Sequence, residues 1–473
     1  MSLSKFSKSP NKVFYGALGV VVAGLLVGIL VLALLVTTSG PWVRQVVVQN
    51  SSGAGAASVD QGLTVLFDRP ITSTDFASVI DIQPKIDYTV SHRNQQLNIT
   101  FNQNLLSNTK YVLTVKPGLE DDLGKRMEQG YTYEFTTAEP SFTYLERNNG
   151  FGATDKVIEK APLSQGSQIL YGVRGRIKSF ARNANYLAVV QARTDDTDEL
   201  RVVDLGTRGE STVDIPHDVR VDNLKFSPVD NQFVFVTRTI PGTSTDGSIK
   251  GYSNKLYRYD IDGEQLQPVD TLSNEGNVES VSYSHDGQAL LYKTLDSEYY
   301  LTGAVQATDP TLLGKYEDSG GFDRTNTKLA FLYGSGAAIY DPQAGGLQEV
   351  SDLRVGGRIS TPKFLNDSDD LVYLKDPLDA QTDERVEVDT ANADGKVEEP
   401  VAGLEPSVRF FGDPVVSYDD RYVLINATFN SQVENDQTGN QQPVNTWLVL
   451  YDRFDHKVID PGNTRGIDPV WNR

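Results

Sequence analysis

The chain has 473 residues, no cysteine and a formal net charge of −20. Its length exceeds one ordinary domain, and the absence of thiols excludes disulfides, thiolate metal sites and a cysteine nucleophile. Beyond residue 40 there are 40 basic and 63 acidic residues, so the chain repels phosphate backbones and no nucleic-acid partner is expected. Solubility alone also explains this acidity.

An uncharged apolar run extends from Val13 to Val36. Its 24 residues would form a helix of about 36 Å, enough to cross a hydrocarbon core of about 30 Å. Only Arg44 follows the run closely, so the positive-inside rule places residues 1–12 in the cytoplasm. We expect a single-pass cell-membrane protein with an extracytoplasmic C-terminal bulk and the lipid bilayer as a partner of residues 13–36. Three lysines precede the run: Lys5, Lys8 and Lys12.

A cleaved signal peptide is the alternative to this anchor. Its apolar region would span about 7–15 residues, which is shorter than this run. Thr37 and Ser39 form a weak cleavage pattern that Pro41 makes poorer. Gly24 and Gly28 form a GxxxG pattern associated with helix dimerisation, although such spacing is common by chance in glycine-rich spans.

Several short alternating segments follow the anchor. Polar turns such as SHRNQQ and EDDLGK separate them, as is typical of antiparallel strands in a β-sandwich. The predicted strands are VRQVVVQN from residue 43, LTVLFDRPI, IDYTV, LNITF, KYVLTV and YTYEFTT.

Residues 43–138 resemble the bacterial Ig-like domain of the SbsA type. The resemblance implies a spacer or adhesive module on a cell surface and not a catalyst. Four ordered features carry it: Phe67 before the turn from Asp68 to Pro70, the strand Tyr111 to Val115, the D-x-x-G turn ending at Gly124, and the closing segment Phe135 to Thr137.

Two acidic residues in the D-x-x-G turn are candidate calcium ligands. Asp121 and Asp122 supply clustered oxygens, which hard cations prefer. An acidic turn closed by Gly124 explains the same residues more simply, so no metal site is predicted.

From residue 141 a different periodicity begins. An aromatic strand start, a turn and a strongly apolar run recur at intervals of 46, 57, 39, 42 and 54 residues. Recurrence at about 40–50 residues indicates repeated supersecondary units. The aromatic positions are Phe180, Phe226, Tyr283, Phe322, Phe364 and Tyr418.

Most repeats carry a second half with its own strands, such as KLYRYDIDGEQLQPV and AAIYDPQAGGLQEV. Two successive strand pairs predict a four-stranded antiparallel blade. Runs such as FVFV and LVYL are apolar on both faces, which suits strands packed between neighbouring blades. The turns FSPVDNQ and YSHDGQ, beside LYRYD, resemble TolB-type (WD40-like) β-propeller repeats, and only these two turns stand close to the S-P-D-G pattern of that family.

The two ends of this region complement one another. The tail GIDPVW (466–471) has the pattern of a first strand, whereas residues 141–160 resemble a blade that lacks one. We expect them to join in one composite blade. The predicted fold class is therefore all-β: one transmembrane helix, an Ig-like sandwich and, over residues 141–473, a β-propeller of about seven blades, with six or eight as alternatives.

No catalytic residue, cofactor or metal site is predicted. The four histidines lack paired metal spacing, and G-x-S-x-G, P-loop and G-x-G-x-x-G motifs are absent. The loop from Thr390 to Gly395 resembles an EF-hand loop, but its twelfth position is Val401, where a Glu is needed. Residues 430–445 are predicted to form a polar loop of the last blade, and His285 has a structural turn position. The histidines are His92, His217, His285 and His456.

Three functions fit this organisation. The first is a non-catalytic surface protein whose Ig-like stalk presents the propeller to a protein or an envelope polymer. The second is an extracytoplasmic hydrolase of glycans or peptides, because a catalytic pair of loop carboxylates needs no motif. The third is an envelope component that assembles laterally. The absence of a recognisable catalytic motif favours the first function, a non-catalytic surface protein.

Overall fold

The computed structural model divides the chain into two compact units, Met1–Ala138 and Glu139–Arg473. It describes residues 18–29, 40–48, 62–73, 75–148, 154–163, 166–193, 197–240, 242–243, 249–250, 253–271, 277–304, 309–334, 336–343, 346–350, 353, 357–377, 386–392, 409–410, 412–428, 433–435, 441–443 and 446–472.

A helix covers residues 18–29, and every side chain along it is exposed. Across the described ranges, no helix is both long and apolar enough to cross a membrane. The predicted membrane helix is longer than this helix, and its portions at 13–17 and 30–36 lie outside the described residues.

Two antiparallel sheets make up the rest of the first unit. The strands are β1 (Val43–Val48), β2 (Leu63–Phe67), β3 (Ile80–Gln83), β4 (Tyr88–Arg93), β5 (Gln96–Phe101), β6 (Lys110–Val115) and β7 (Tyr131–Thr136). One sheet has the order β1-β2-β5-β4 and the other β3-β6-β7. Alternate residues such as Leu63, Val65 and Leu113 are fully buried in one shared core, as the period of two along a strand requires. All six predicted strands are present, and β3 was not predicted.

Within its described residues the second unit contains seven antiparallel sheets, named A to G. Sheet A has β8 (Phe142–Glu146), β9 (Thr154–Lys160), β10 (Ser167–Arg174) and β40 (Ile467–Trp471); sheet B has β11 (Ile177–Arg182), β12 (Tyr186–Ala192), β13 (Asp198–Asp204) and β14 (Glu210–Thr212); sheet C has β15 (Val219–Phe226), β16 (Gln232–Thr239), β19 (Asn254–Asp260) and β20 (Gln265–Pro268). A hairpin of β17 (Gly242–Thr243) and β18 (Ile249–Lys250) extends from sheet C.

The later sheets repeat this pattern, with interrupted first strands in the last two. Sheet D has β21 (Val278–Tyr283), β22 (Ala289–Thr294), β23 (Glu298–Gly303) and β24 (Thr311–Lys315), and sheet E has β25 (Asp318–Phe322), β26 (Leu329–Tyr333), β27 (Gly336–Asp341) and β28 (Gly346–Val350). Sheet F has β29 (Gly357–Ile359), β30 (Lys363–Phe364), β31 (Leu371–Pro377) and β32 (Glu387–Ala391). Sheet G has β33 (Arg409–Phe410), β34 (Val415–Val416), β35 (Tyr422–Thr428), β38 (Thr446–Asp452) and β39 (Lys457–Arg465). The described parts of the predicted loop 430–445 form a hairpin of β36 (Val433–Asn435) and β37 (Gln441–Pro443).

The second strands of the sheets are buried on both faces because each sheet lies between two others. On β16, Phe233 and Phe235 pack toward sheet B, whereas Val234 and Val236 pack toward sheet D. The first strands of sheets B and C, C and D, E and F, and G and A lie beside one another, and outer strands such as β14 are exposed. The two-faced apolar runs predicted from the sequence are therefore explained by this face-to-face packing around a common centre, which is the architecture of a β-propeller.

Seven hydrophobic clusters connect the sheets. Six join consecutive sheets from A to G, and the seventh joins sheet G to sheet A. In this seventh cluster Phe142 and Trp471 of sheet A pack with Tyr422 and Leu448 of sheet G.

The two ends of the second unit meet in one sheet. Strand β40 pairs antiparallel with β8, with Ile467 opposite Leu145 and Trp471 opposite Phe142. The predicted pairing of the tail with residues 141–160 is thus confirmed. Sheet A is composite, because its first strand comes from the end of the chain and its other three from the start of the unit.

Candidate binding site at the centre of the second unit

The turns between the first and second strands of sheets D and G share a hydroxyl–carboxylate arrangement. Ser284 Oγ donates a hydrogen bond to Asp286 Oδ1 at 2.6 Å and accepts one from the Ala289 amide at 2.9 Å. Ser417 Oγ donates likewise to Asp419 Oδ1 at 2.6 Å. Such side-chain hydrogen bonds hold tight turns closed. Each of these two turns follows the end of the first strand of its sheet.

Neighbouring turns are bonded to one another. The amide of His285 donates to Asn326 Oδ1 at 2.7 Å, and His285 Nε2 lies 3.1 Å from the carbonyl oxygen of Phe322. Asn183 Nδ2 similarly donates to Asn231 Oδ1 at 3.4 Å. His285 therefore links the turns of sheets D and E, which is a structural role.

A pocket of about 370 Å³ opens among these turns. The turns of sheets B and C form most of it, and residues from sheets A and G complete it, so four sheets converge there. Its walls mix aromatic and aliphatic side chains with nearly as many polar and charged ones, among them Arg182, Lys225 and Asp230. Lining residues include Phe180, Lys225, Phe226, Val229, Tyr418 and Trp471.

Lys225 is the cationic group of this pocket on sheet C. It follows a break in strand register between Asp222 and Lys225, so a bulge turns its side chain relative to the rest of β15. The side chain is reached by solvent. Even so, the surrounding protein removes enough water to lower its pKa, and the charge of Lys363 lowers the pKa further, whereas Asp468 and Asp413 act to raise it.

Asp468 is a second unusual residue of this centre. Its φ of 52° lies in the left-handed region, and the pairing of β40 with β8 shifts register between Ile467 and Val470. Non-glycine residues at such φ values cost free energy and cluster at functional sites. Loss of water raises the pKa of Asp468, and the charges of Arg147 and Lys225 oppose that rise. The charges of Lys225 on sheet C and Asp468 on sheet A therefore act on one another's pKa.

A third element comes from sheets F and G. Lys363 Nζ lies 3.8 Å from Asp413 Oδ2, and the amide of Thr361 donates to Asp413 Oδ1 at 3.1 Å. Asp413 belongs to sheet G, and these two contacts tie its carboxylate to residues of sheet F. The charges of Lys363, Asp413 and Asp468 all act on the pKa of Lys225, so two cations and two anions from four sheets influence one another at this centre. Such a centre can bind hydrogen-bonding and charged groups of a partner.

The acidic turn of the first unit is closed as predicted. Asp121 Oδ1 accepts hydrogen bonds from the amides of Lys125 at 2.7 Å and Leu123 at 3.0 Å, and Gly124 has a φ of +70°. Burial raises the pKa of the Asp121 carboxyl, but these amides and Arg69 outweigh it and leave the pKa below its ordinary value. The oxygens of Asp121 are thus used within the turn.

The remaining sequence candidates show no shared site. The ring of His92 packs on Phe76 at 5.2 Å, and His456 occupies a turn with a φ of 50°. The EF-hand-like loop from Thr390 to Val401 lies outside the described residues after Asn392. In the part of the chain that the structure describes, there is no cluster of three or more His, Asp or Glu side chains that could hold a metal ion.

Sequence reasoning did not single out Lys225, Asp468 or Asp413. The repeat pattern marks Phe226 and Tyr418 by their aromatic character, and the tail marks Trp471 as part of a strand. A polar residue next to the aromatic anchor of a first strand, as Lys225 is next to Phe226, is the signal that could have pointed to the centre.

Residues 38–137 match the family model described as bacterial Ig-like domain. This part of the chain is therefore an Ig-like domain of the bacterial type, and the resemblance predicted for residues 43–138 is confirmed. No curated protein matches the chain.

Several solved structures are similar to the chain. TolB from Acinetobacter baumannii is 12% identical, with 90% of this chain and 89% of that chain covered and a TM-score of 0.41. An oligogalacturonate lyase in complex with manganese is 14% identical, covering 82% and 94%, with a TM-score of 0.45. A puromycin hydrolase is 10% identical, covering 70% and 55%, with a TM-score of 0.48. The TolB type predicted from the repeat turns is thus among the similar structures, and these likenesses concern the fold alone.

Proposed function

We propose that this protein is a membrane-anchored cell-surface binding protein, whose Ig-like domain is a stalk and whose second unit is a closed seven-bladed propeller. The composite sheet A and the cluster between sheets G and A support the closed ring. Closure by a strand from the chain end removes exposed sheet edges.

The anchor is proposed from the apolar run at residues 13–36 and from the described helix within it. Residues 18–29 expose valine, leucine and isoleucine along the whole helix surface; Val20, for example, is 74% exposed. Large contiguous apolar surfaces are covered by a membrane or a partner in stable proteins. The lysine-rich tail before residue 13 supports a cytoplasmic N-terminus and an extracytoplasmic bulk.

The pocket that contains Lys225 is the observation that carries the binding function. Residues of sheets A, B, C and G converge on it, and it combines aromatic walls with a partly dehydrated ammonium group. Interface hot spots have this character of apolar anchoring around a few polar groups. The proposed occupant is a segment of another protein or of an envelope polymer.

The test uses the full chain in detergent as bait for envelope extracts, with two pocket variants. Lys225→Glu reverses the charge, and Val229→Asp puts a charge on a side chain that is 55% exposed in the pocket. Lys255→Glu, an exposed position of the same sheet outside the pocket, is the matched control. We expect one salt-stable partner that both pocket variants lose and the control keeps. Equal capture by all four proteins would contradict the proposal.

Orientation is tested separately on intact cells. Externally added protease should remove most of the mass of the chain and leave a short membrane-bound fragment. Full protection in intact cells, with cleavage only after lysis, would refute the surface location.

The alternative function, a hydrolase, is tested by screening the same purified chain against glycans and peptides. Turnover that is abolished by Asp413→Asn and Asp468→Asn would replace binding as the function.

A further inference from the structure

The first unit carries a groove that the proposed stalk role does not use. It has a volume of about 570 Å³ and lies across the strand β1 and the turn between β4 and β5. Polar side chains line it over a small apolar floor of Leu66 and Phe67. The polar lining residues are Arg44, Gln45, Arg93, Asn94, Gln95 and Gln96.

The backbone around this groove is shaped and held. A bulge between Val43 and Gln45 falls at Arg44, and Asn94 has a φ of 60° at the tip of the β4–β5 turn. The turn is bonded to β2 and to the loop after it, since the Phe67 amide donates to the carbonyl of Gln95 at 2.9 Å and the Ile71 amide donates to that of Asn94 at 3.0 Å. Bulges and left-handed residues re-aim side chains and mark functional sites. The two arginines are therefore presented from a rigid frame.

Charge distinguishes this groove from the rest of the molecule. Residues 41–138 contain 8 basic and 10 acidic residues, whereas residues 139–473 contain 32 and 53. Neither Arg44 nor Arg93 forms an ion pair with any other residue that the structure describes. Two uncommitted guanidinium groups beside four amide side chains suit a phosphate group with hydrogen-bonding substituents, because guanidinium binds phosphate in a forked geometry.

Chain position indicates where such a phosphate would come from. Arg44 follows the apolar run by eight residues, which span at most about 28 Å when extended. Trp42, between the two, is 54% exposed, and tryptophan is enriched at the level of lipid headgroups. The groove is thus within reach of the surface of a bilayer that holds residues 13–36.

We propose that the groove of Arg44 and Arg93 binds the headgroup of an anionic phospholipid, which seats the Ig-like domain on the membrane surface. This inference rests on the proposed membrane anchor. With two arginines in the groove, the ratio of seated to free protein should be about 30-fold higher on a surface that contains anionic lipid than on one that does not. Added salt should weaken the effect, because the groove is open to solvent.

The test exploits the absence of cysteine in the chain. A fluorophore on Ser91→Cys, an exposed position of β4 outside the groove, reports proximity to the membrane through quenching by headgroup-labelled lipid, with the full chain reconstituted into vesicles. The vesicles contain phosphatidylcholine alone or with added phosphatidylglycerol. We expect strong quenching only with phosphatidylglycerol, and Arg44→Gln with Arg93→Gln should reduce the ratio of seated to free protein about 30-fold. The charge-matched control is Lys85→Gln with Lys116→Gln, two exposed positions of the same domain, and it should quench like the parent.

Flotation of the same vesicles separates this inference from the anchor. Flotation in both lipids with equal quenching in both would overturn headgroup binding and leave the anchor intact. Flotation only with phosphatidylglycerol, lost in the double arginine variant, would support headgroup binding and refute the anchor. Flotation in neither lipid would refute both. Displacement of the seated state by a soluble polyuronate but not by short-chain phosphatidylglycerol would assign the groove to a glycan and overturn the lipid proposal.

Discussion

The carboxylate of Asp420 accepts two hydrogen bonds from Asn366, one from its amide at 2.8 Å and one from its side chain at 2.9 Å. A third comes from the amide of Asp367 at 2.8 Å. Asp420 itself has a φ of 57° in the turn of sheet G, and its partners lie in the turn of sheet F. One buried carboxylate thus joins two neighbouring sheets at the side where the pocket opens.

Replacing Asp420 should weaken the contact between the turns of sheets F and G. Asp420→Ala leaves two partly buried amides without acceptors, and each unsatisfied group costs about 1 kcal/mol or more, so we expect a loss of about 1–3 kcal/mol in the unfolding free energy of the second unit. Calorimetry of the full chain should show the propeller transition at lower temperature. Asp455→Ala, at an exposed turn, should leave that transition in place; equal shifts in both variants would argue against this contact.

Stability should also depend on pH through Asp389. Burial and the charge of Glu387 raise the pKa of this carboxyl to about 6, against the opposing effect of Lys375. The folded state therefore binds a proton more tightly than the unfolded chain, whose Asp has a pKa of about 3.9. The contribution of Asp389 to stability is present below about pH 4 and is lost as the pH rises through 6.

Asp389→Asn should remove this loss of stability at higher pH. We expect the variant to exceed the parent in stability by about 1–3 kcal/mol at neutral pH and to match it near pH 4. Denaturant titrations at several pH values measure the difference. Asp309→Asn, an exposed acid of the same unit, is the control, and a pH-independent difference for Asp389→Asn would refute the mechanism.

Trp471 should be essential to the composite sheet. Its indole is 4% exposed, packs edge-on against Phe142 at 5.6 Å and donates from Nε1 to the carbonyl of Val415 at 2.9 Å. Trp471→Ala should cost about 3–5 kcal/mol, as for other buried aromatic residues. Trp42→Ala, which truncates a 54% exposed indole, should change the melting temperature little. A parent-like melting temperature for Trp471→Ala would contradict the role of the chain end.

A buried ion pair in sheet B provides a further test. Lys178 Nζ lies 2.7 Å from Asp198 Oδ2, and that same oxygen accepts the amide of Val221 in sheet C at 2.7 Å. Burial raises the pKa of Asp198, and Lys178 opposes the rise. Lys178→Met would leave a buried charge uncompensated, at a cost of about 3–5 kcal/mol. Adding Asp198→Asn should recover part of that loss, and a purely additive double variant would show that the pair is not coupled.

Much of the strand pattern could be predicted because strand periodicity is local. Alternation in VRQVVVQN or KYVLTV requires only that one face of a strand be buried, and two-faced runs such as FVFV require a neighbour on each side. Strand β23 was not predicted, because its polar and aromatic residues resemble a loop. The interrupted first strands of sheets F and G likewise lack a continuous apolar run.

The sequence by itself determined the all-β class, the Ig-like domain, the repeat and the complementary chain ends, because each follows from local spacing or order along the chain. Only the tertiary structure decided which charges influence one another. Lys225 and Asp468 are separated by 243 positions, and their coupling depends on the pairing of β40 with β8 and on the bulges in β15 and β40. Electrostatic coupling is a property of distances in space and of excluded water, and neither is written in residue spacing.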